Sequence, residues 1–554
     1  MAMENELKGT PRGTVRSAEL CTPLVGVQVL RQNSNGEIYE ETRSNERGEW
    51  QLKNCEQSDR VSFVLEGFVT QTYVCPHLPE IVRLLENKLI GYQKRLWFIP
   101  GESVEAYVHS PVKFSARLFR HGLVKKVILD LGTFDPQIQS VPDGYFVETG
   151  LDWKPNFAYT IPTGVQPGIH SLLLEGSGQE PFAIPMVVST PKEQYGQDSR
   201  LLVLASTNTW QSYNVWGGRS RYRNYENGKS QDFRDLTSPT RKIKMQIAKV
   251  LSSNLKARIR HILRYWLKTE SFCYRKLSIL RPFSHCDLEG DEVMQPFTNH
   301  LAGGEWRLLA WLEREKIDYD IISGAELHQG PEILKHYKAI ILSTHCEYWT
   351  RKMYEGLKYY HETNKLWILN ISGNAIYREI SFDEDGSTQC VSLSFAYSCA
   401  DETQILGVRF TEDDLGTCAP YKILQADHWA FDTIPLDKDK STFGVFSLNQ
   451  NTAKKDKHYD PGRPGDVDGL RGMGASGWET DKLCKTGPKD MKVIAKGLNE
   501  KGGADMVVRD PCGSRGGMFS ASSITFSGCL LIDSVASMLV KNVIYKALGI
   551  EERN

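Results

Sequence analysis

The sequence predicts an α/β plus β protein, in which N-terminal β-sandwich modules precede a doubly wound α/β unit with a β-rich C-terminal extension. Three observations carry that prediction. Short alternating apolar runs punctuated by Gly, Pro, Asn and Ser fill the first third of the chain and return after residue 380, the mark of strands and tight turns. Between them, continuous apolar runs of strand length alternate with helically spaced segments, as in a parallel sheet buried on both faces. The 554 residues also exceed what one hydrophobic core serves.

From Gly13 to Leu96 the runs TVRSAEL, GVQVLRQ, GEWQLKN, RVSFVLEG and EIVRLLEN predict a small sandwich over 10–96. SVEAYVHS, VKFSARLFR, KKVILDLG, HSLLLEG and FAIPMVVS predict a second over 97–197. In the α/β unit, 198–554, the buried strands are LLVLAS, DYDIIS, KAIILS and KLWILNIS, and the helices are EWRLLAWLEREK, MYEGLKYYHETN and the closing SVASMLVKNVIYKALG. An insertion, 226–300, carries Ile243, Ile247, Val250, Leu251, Leu255, Ile259, Ile262 and Leu263 opposite a basic face. A membrane-surface helix and a lid or subunit-contact helix compete there. Balanced charge elsewhere and no lipidation motif favour the second.

Acids and bases nearly cancel, 68 against 67, which argues against a dedicated nucleic-acid binder. MAMENELKGTPRG lacks the apolar stretch of a secretory signal, and no apolar run reaches the ~18 residues of a membrane span; a cytoplasmic location is expected. The twelve cysteines form no CxxC pair and read mostly as small buried hydrophobes.

In doubly wound sheets ligands collect beyond the carboxyl ends of the strands. Here those positions hold TNTWQSYNVWGGRSRYRNY, THCEYWT and GNAIYRE, rich in polar and aromatic groups. Three constellations compete. Tyr213, Tyr222 and Glu347, with His345 beside them, are hard oxygen donors suited to an ion such as Fe(III), which would polarise a carbonyl and ionise water. Cys346, between His345 and Glu347, is a possible nucleophile in the position used by amidotransferase-like proteins. It lacks the glycines of a sharp elbow, and adjacent residues on extended backbone face opposite ways. Gly472, Gly474 and Gly477 of GMGASG match GxGxxG without the strand and helix a dinucleotide site needs.

TWQSYNVWGGRSRY, WLEREKIDYDIISGAELH, STHCEYW, GNAIYRE, DHWAFD, GWETD, GGADMV and FSASSITF together resemble the C-terminal catalytic region of the N,N-dimethylformamidase large (beta) subunit family, over about 198–550. The resemblance implies a class I glutamine amidotransferase-like α/β unit and a mononuclear iron held by two tyrosines and one glutamate. It also implies hydrolysis of the amide bond of a small N-substituted formamide. Carried over by motif, Tyr213, Tyr222 and Glu347 would bind the metal, Tyr225 standing as the alternative to Tyr222. His345 would orient or shuttle a proton, and Asn374 would hold substrate carbonyl or water. Trp210, Trp216, Tyr348 and Trp349 are expected to line the pocket. The first module, 10–96, loosely resembles transthyretin-like, carboxypeptidase-regulatory-type domains and reads as an appendage; the second, 97–197, is a β-sandwich of a kind that often binds carbohydrate or another protein chain. A homo-oligomer, with or without a small subunit, and a small amide substrate are the expected partners. The alternatives are a Cys346-dependent amidase and a non-catalytic carbohydrate- or protein-binding chain.

Overall fold

The computed structural model describes residues 11–551, apart from 145, 226–230, 233–274, 284–287, 289–291, 296–299, 384–387, 395–400, 412, 437–440 and 451–469. The basic amphipathic stretch read at 243–263 lies outside the described residues.

Alternation of small and apolar residues builds the first module from two sheets. Glu49–Gln51, Arg12–Ser17 and Ile81–Leu84 form one, and Ile38–Arg43, Gln28–Gln32, Arg60–Val64 and Gln71–Val74 the other. Val15, Val29, Trp50, Val61, Phe63 and Val82 fill the space between them. Two cysteines depart from the buried-hydrophobe reading, because Cys55 and Cys75 form a disulfide in this module. The next module pairs a five-stranded sheet, Lys126–Phe134, Phe114–His121, Gly168–Gly176, Phe182–Val188 and Trp97–Phe98, with the three strands Phe157–Thr160, Ser103–His109 and Ile90–Tyr92. It docks on the α/β unit through Arg120, whose Nη2 lies 2.5 Å from Glu313 Oε1, and through Trp306, whose indole N–H donates to the Gly122 carbonyl at 2.6 Å.

A nine-stranded sheet organises the rest. Its order is Asp320–Ser323, Leu201–Ala205, Ala339–Thr344, Trp367–Ser372, Met518–Ser520, Asp505–Arg509, Lys492–Gly497, Tyr421–Ile423 and Thr442–Phe443. The first five strands are parallel and the remainder antiparallel. Alternate residues feed opposite cores. Val203 and Ile341 pack with helices Ala302–Arg314 and Ser534–Leu548, whereas Leu202, Leu204, Ile340 and Leu342 pack with helix Arg351–Thr363. The helices start where their caps permit: the Thr350 side chain accepts from Met353 N–H and that of Asp533 from Ala536 N–H.

Within the parallel half, the chain's first strand, 201–205, has the second on one side and the third on the other. Connections leave it in opposite directions and open a crevice at its carboxyl end. The GMGASG run is no phosphate loop. Gly472 and Gly477 pair with strand Thr417–Ala419, and a Cβ on Gly474 would stand 2.1 Å from the Ala419 carbonyl carbon, so close backbone approach accounts for that glycine. Among the described residues no helix is long and apolar enough to cross a membrane.

Ile341 is fully buried in the central parallel strand. Ile341→Ala should lower stability by about 2–5 kcal/mol, read as an earlier midpoint of chemical unfolding followed by circular dichroism.

Candidate active site

Tyr213 ends helix Thr207–Tyr213, which follows the first strand directly. A buried acid anchors this short helix. Glu305, 1% exposed, accepts the Ser206 N–H at 3.2 and 3.1 Å with its two oxygens, and the Trp210 indole N–H at 2.8 Å. Burial lifts the Glu305 pKa to about 8 against the pull of those donors. The third strand delivers His345 and Glu347 beside it. The His345 ring is set by a 3.0 Å contact from Nδ1 to the Gly373 carbonyl. The Glu347 backbone is locked from both ends: its N–H donates to Thr209 Oγ1 at 3.2 Å, and its carbonyl accepts from Tyr377 and Arg378 at 2.9 and 3.0 Å.

Tyr222 arrives on a loop that the N-terminal module holds. Gly217 N–H donates to the Glu19 carbonyl at 2.5 Å. Gly218 has φ +88°, and a Cβ there would meet the Cys21 Cβ at 2.4 Å. Buried Arg281 donates from Nη1 to the Trp216 and Arg219 carbonyls at 2.5 and 3.1 Å. Far from an appendage, the first module clamps the segment that carries a site tyrosine.

These groups converge. Tyr222 Oη donates to Glu347 Oε2 at 2.5 Å, and Tyr213 Oη lies 3.4 Å from the same oxygen. His345 Nε2 stands 3.1 Å from Tyr213 Oη and 3.2 Å from Glu347 Oε2. A fourth acid closes the group: Glu479 Oε2 is 3.9 Å from His345 Nε2 and accepts from Asn374 Nδ2 at 2.8 Å. Asn374 in turn donates its backbone N–H to buried Asp481 at 2.8 Å, while its Oδ1 has no partner among the described residues. Burial, then the neighbouring Glu347 and Tyr213, push the Tyr222 phenol well above its ordinary pKa. Burial alone would lower the His345 pKa, but the Glu347 and Glu479 carboxylates outweigh it and hold it raised. Burial lifts Asp481 to about 8, opposed by the Asn374 N–H.

The backbone around this group is unusual. Thr344, Asn374, Ile376, Trp478 and Ser522 all have φ between +46° and +66°, a region that costs most residues roughly 1–3 kcal/mol and persists where surroundings impose it.

The sequence-predicted residues divide. Tyr213, Tyr222, His345 and Glu347 meet, and Asn374 reaches them through Glu479. Tyr225, the alternative to Tyr222, uses its backbone in the same loop, its N–H on the Gly218 carbonyl at 2.8 Å. The expected pocket tryptophans stand elsewhere. Trp210 is fully buried in the main core on Glu305. Trp216 packs against Phe146 and Trp153, and Trp349 lies in the opposite core with its indole on the Cys346 carbonyl. Tyr348 packs with Ile380 against the outer side of Tyr222. Each is large and apolar enough for burial, and that outweighed exposure at a strand end. Cys346 packs in the opposite core rather than with the convergent group, and burial pushes its thiol up to about 12. Glu479, Trp478 and His300 were missed as site residues. GWETD was the available signal, but its strand pairs far away in sequence, and FTNH carries no periodicity.

A sequence model described as N,N-dimethylformamidase beta subunit-like, C-terminal, matches residues 125–537. The chain belongs to this family. The match begins inside the second β module and spans the whole crevice, so every residue of the convergent group falls within it. No curated protein matches. Among solved structures, E. coli alpha-2-macroglobulin in its native conformation is 14% identical, over 31% of this chain and 11% of that one, with a TM-score of 0.14. A Salmonella alpha-2-macroglobulin mutant is 12% identical over 33% and 13%, TM-score 0.14. The Bacteroides ovatus SGBP-B protein in complex with a mixed-linkage heptasaccharide is 12% identical over 37% and 48%, TM-score 0.12. This dimethylformamidase-like chain thus spans about a tenth of the macroglobulins' length.

Glu305→Ala would leave the Ser206 and Trp210 donors buried and unpaired, at about 1–3 kcal/mol each. Denaturant titration should show that loss, and Glu305→Gln, which keeps an acceptor oxygen, should recover at least about half of it.

Proposed function

We propose that this chain is an amidohydrolase that uses a single iron ion to split the C–N bond of a small N-substituted formamide or related amide. One observation carries the reading: two phenol oxygens and an imidazole nitrogen each lie within 3.4 Å or less of Glu347 Oε2 at the crevice of the parallel sheet. Family membership supports an amide-acting hydrolase.

The donor set fits a metal. Among the described residues no three His, Cys, Asp or Glu side chains gather as a metal site, but the hard donors here include phenols. The Tyr222 phenol is buried beside Glu347, which holds its pKa raised, and a hard cation is the charge that would favour its ionised, metal-binding form. Tyr213, Tyr222 and Glu347 would hold it. When bound, such an ion polarises an amide carbonyl and lowers the pKa of water.

The chain's own residues handle the proton. With Nδ1–H donating to the Gly373 carbonyl, neutral His345 presents a lone pair at Nε2 toward the reaction centre. It takes a proton from the attacking water and returns it to the departing nitrogen, so that amide and water give amine and carboxylic acid. Glu479 stabilises the charged imidazole, and Asn374 holds Glu479 by its 2.8 Å hydrogen bond. The same proposal includes a class I glutamine amidotransferase-like origin for the doubly wound unit, from which buried Cys346 departs. It also includes a second copy of the chain or a small subunit as partner, and a cytoplasmic setting.

Purified protein should contain near-stoichiometric iron and a visible tyrosinate charge-transfer band. Chelation should remove both the band and hydrolysis of N,N-dimethylformamide, and added iron should restore them. Colourless, metal-free protein that still hydrolyses the amide would overturn the metal assignment. Tyr213→Phe and Glu347→Ala should lose iron, and His345→Ala should keep iron while losing about 10²–10⁴-fold in kcat.

A further inference from the structure

We propose that Trp478 sets the size of the nitrogen substituent this site accepts, its indole and the His300 ring together forming the wall against which that substituent packs. The inference rests on the amidohydrolase reading and names the part of the substrate that this wall selects.

Trp478 and Glu479 lie in the bend between strands Ser476–Gly477 and Thr480–Leu483, and both side chains come to one site. Glu479 approaches His345 at 3.9 Å, and the Trp478 ring lies 4.4 Å from that of His300, which itself stands 5.4 Å from the His345 ring and 4.7 Å from Tyr213. The left-handed backbone of Trp478, φ +66°, makes this possible, a conformation that is a genuine outlier for a bulky side chain. Two hydrogen bonds hold it there: its N–H donates to the Thr417 carbonyl at 3.0 Å, and its carbonyl accepts from Gly416 at 2.8 Å. A strained residue so pinned presents its side chain in a fixed place.

Among the described residues, the other flanks are packed or polar. Beyond Tyr222 the space is filled by Tyr348, Ile380 and Phe382. Tyr213 itself packs against the core cluster that holds Trp210 and Trp306. On the polar side stand Glu479 and Asn374, which suit the reacting carbonyl and water. Trp478 is half-buried and offers a flat apolar face with no acceptor. A compact N-alkyl group gains contact there, and a bulky one meets a ring that packs on His300. Pocket contacts of one methylene or more discriminate by about 10–200-fold.

The test uses the full-length protein as wild type, Trp478→Gly and Trp478→Phe, with calorimetric binding and hydrolysis of N,N-dimethylformamide and N-benzylformamide. Glycine takes φ +66° without strain, so that variant removes the ring while easing the backbone. Wild type should favour the dimethyl amide by about tenfold or more in Kd, Trp478→Gly should erase most of that ratio, and Trp478→Phe should hold it within about threefold. An unchanged ratio in a folded Trp478→Gly protein, or a wild type that binds neither amide, would overturn the wall. Binding with the expected ratios but without hydrolysis would sink the amidohydrolase reading and leave the wall standing. Hydrolysis with an unmoved ratio would do the reverse.

Discussion

The crowding of acidic oxygens around Glu347 Oε2 is the constraint on which the rest of this structure turns. Tyr222 and His345 reach that one atom at 2.5 and 3.2 Å, Tyr213 stands 3.4 Å away, and Glu479 sits just beyond His345. Groups of this kind repel when ionised and are costly to bury. Keeping them together requires that each be fixed by something other than mutual attraction. The Gly373 carbonyl turns His345, Thr209 and the 377–378 amides lock Glu347, and Glu305 braces the helix that ends at Tyr213.

That requirement explains why so much of the chain is drawn toward one crevice. The parallel sheet supplies two strand ends at its switch point. The C-terminal extension supplies Asp481 from strand Thr480–Leu483, which pairs with Val408–Thr411 rather than with the main sheet, and Glu479 from the bend just before it. The N-terminal module supplies no site side chain, yet it closes on Gly217 and Gly218 and so aims Tyr222. Deletion of the module would leave the doubly wound core intact on paper and the Tyr222 loop without its clamp. The positive-φ residues Thr344, Asn374, Ile376, Trp478 and Ser522 are the local record of the same demand, since backbone strain accumulates where side-chain placement is over-determined.

Much of this was legible in the sequence, for reasons that differ by element. Helices 302–314 and 351–363 carry their apolar stripes within a few residues, and the parallel strands are short apolar runs that no solvent-facing segment would tolerate. Tyr213, Tyr222, His345 and Glu347 stand out because phenols, an imidazole and a carboxylate follow strands where packing alone would place aliphatics. Trp210, Trp216 and Trp349 look the same in a one-dimensional pattern, but a tryptophan gains more from full burial than from lining a polar cleft. Whether Glu305 is a solvated helix residue or a buried brace cannot be read from a spacing that suits both.

The sequence by itself determined the types of element, the polar strand ends and the chemistry of the donors, because periodicity and side-chain functional groups are local properties. Only the tertiary structure decided which strand ends adjoin, which side of the His345–Cys346–Glu347 alternation turns in, that Glu479, Trp478 and His300 join the site, and that a distant module holds Tyr222. Those outcomes depend on strand order and on contacts between segments more than a hundred residues apart, where the free energy lies in packing and hydrogen bonds that no short window of sequence contains.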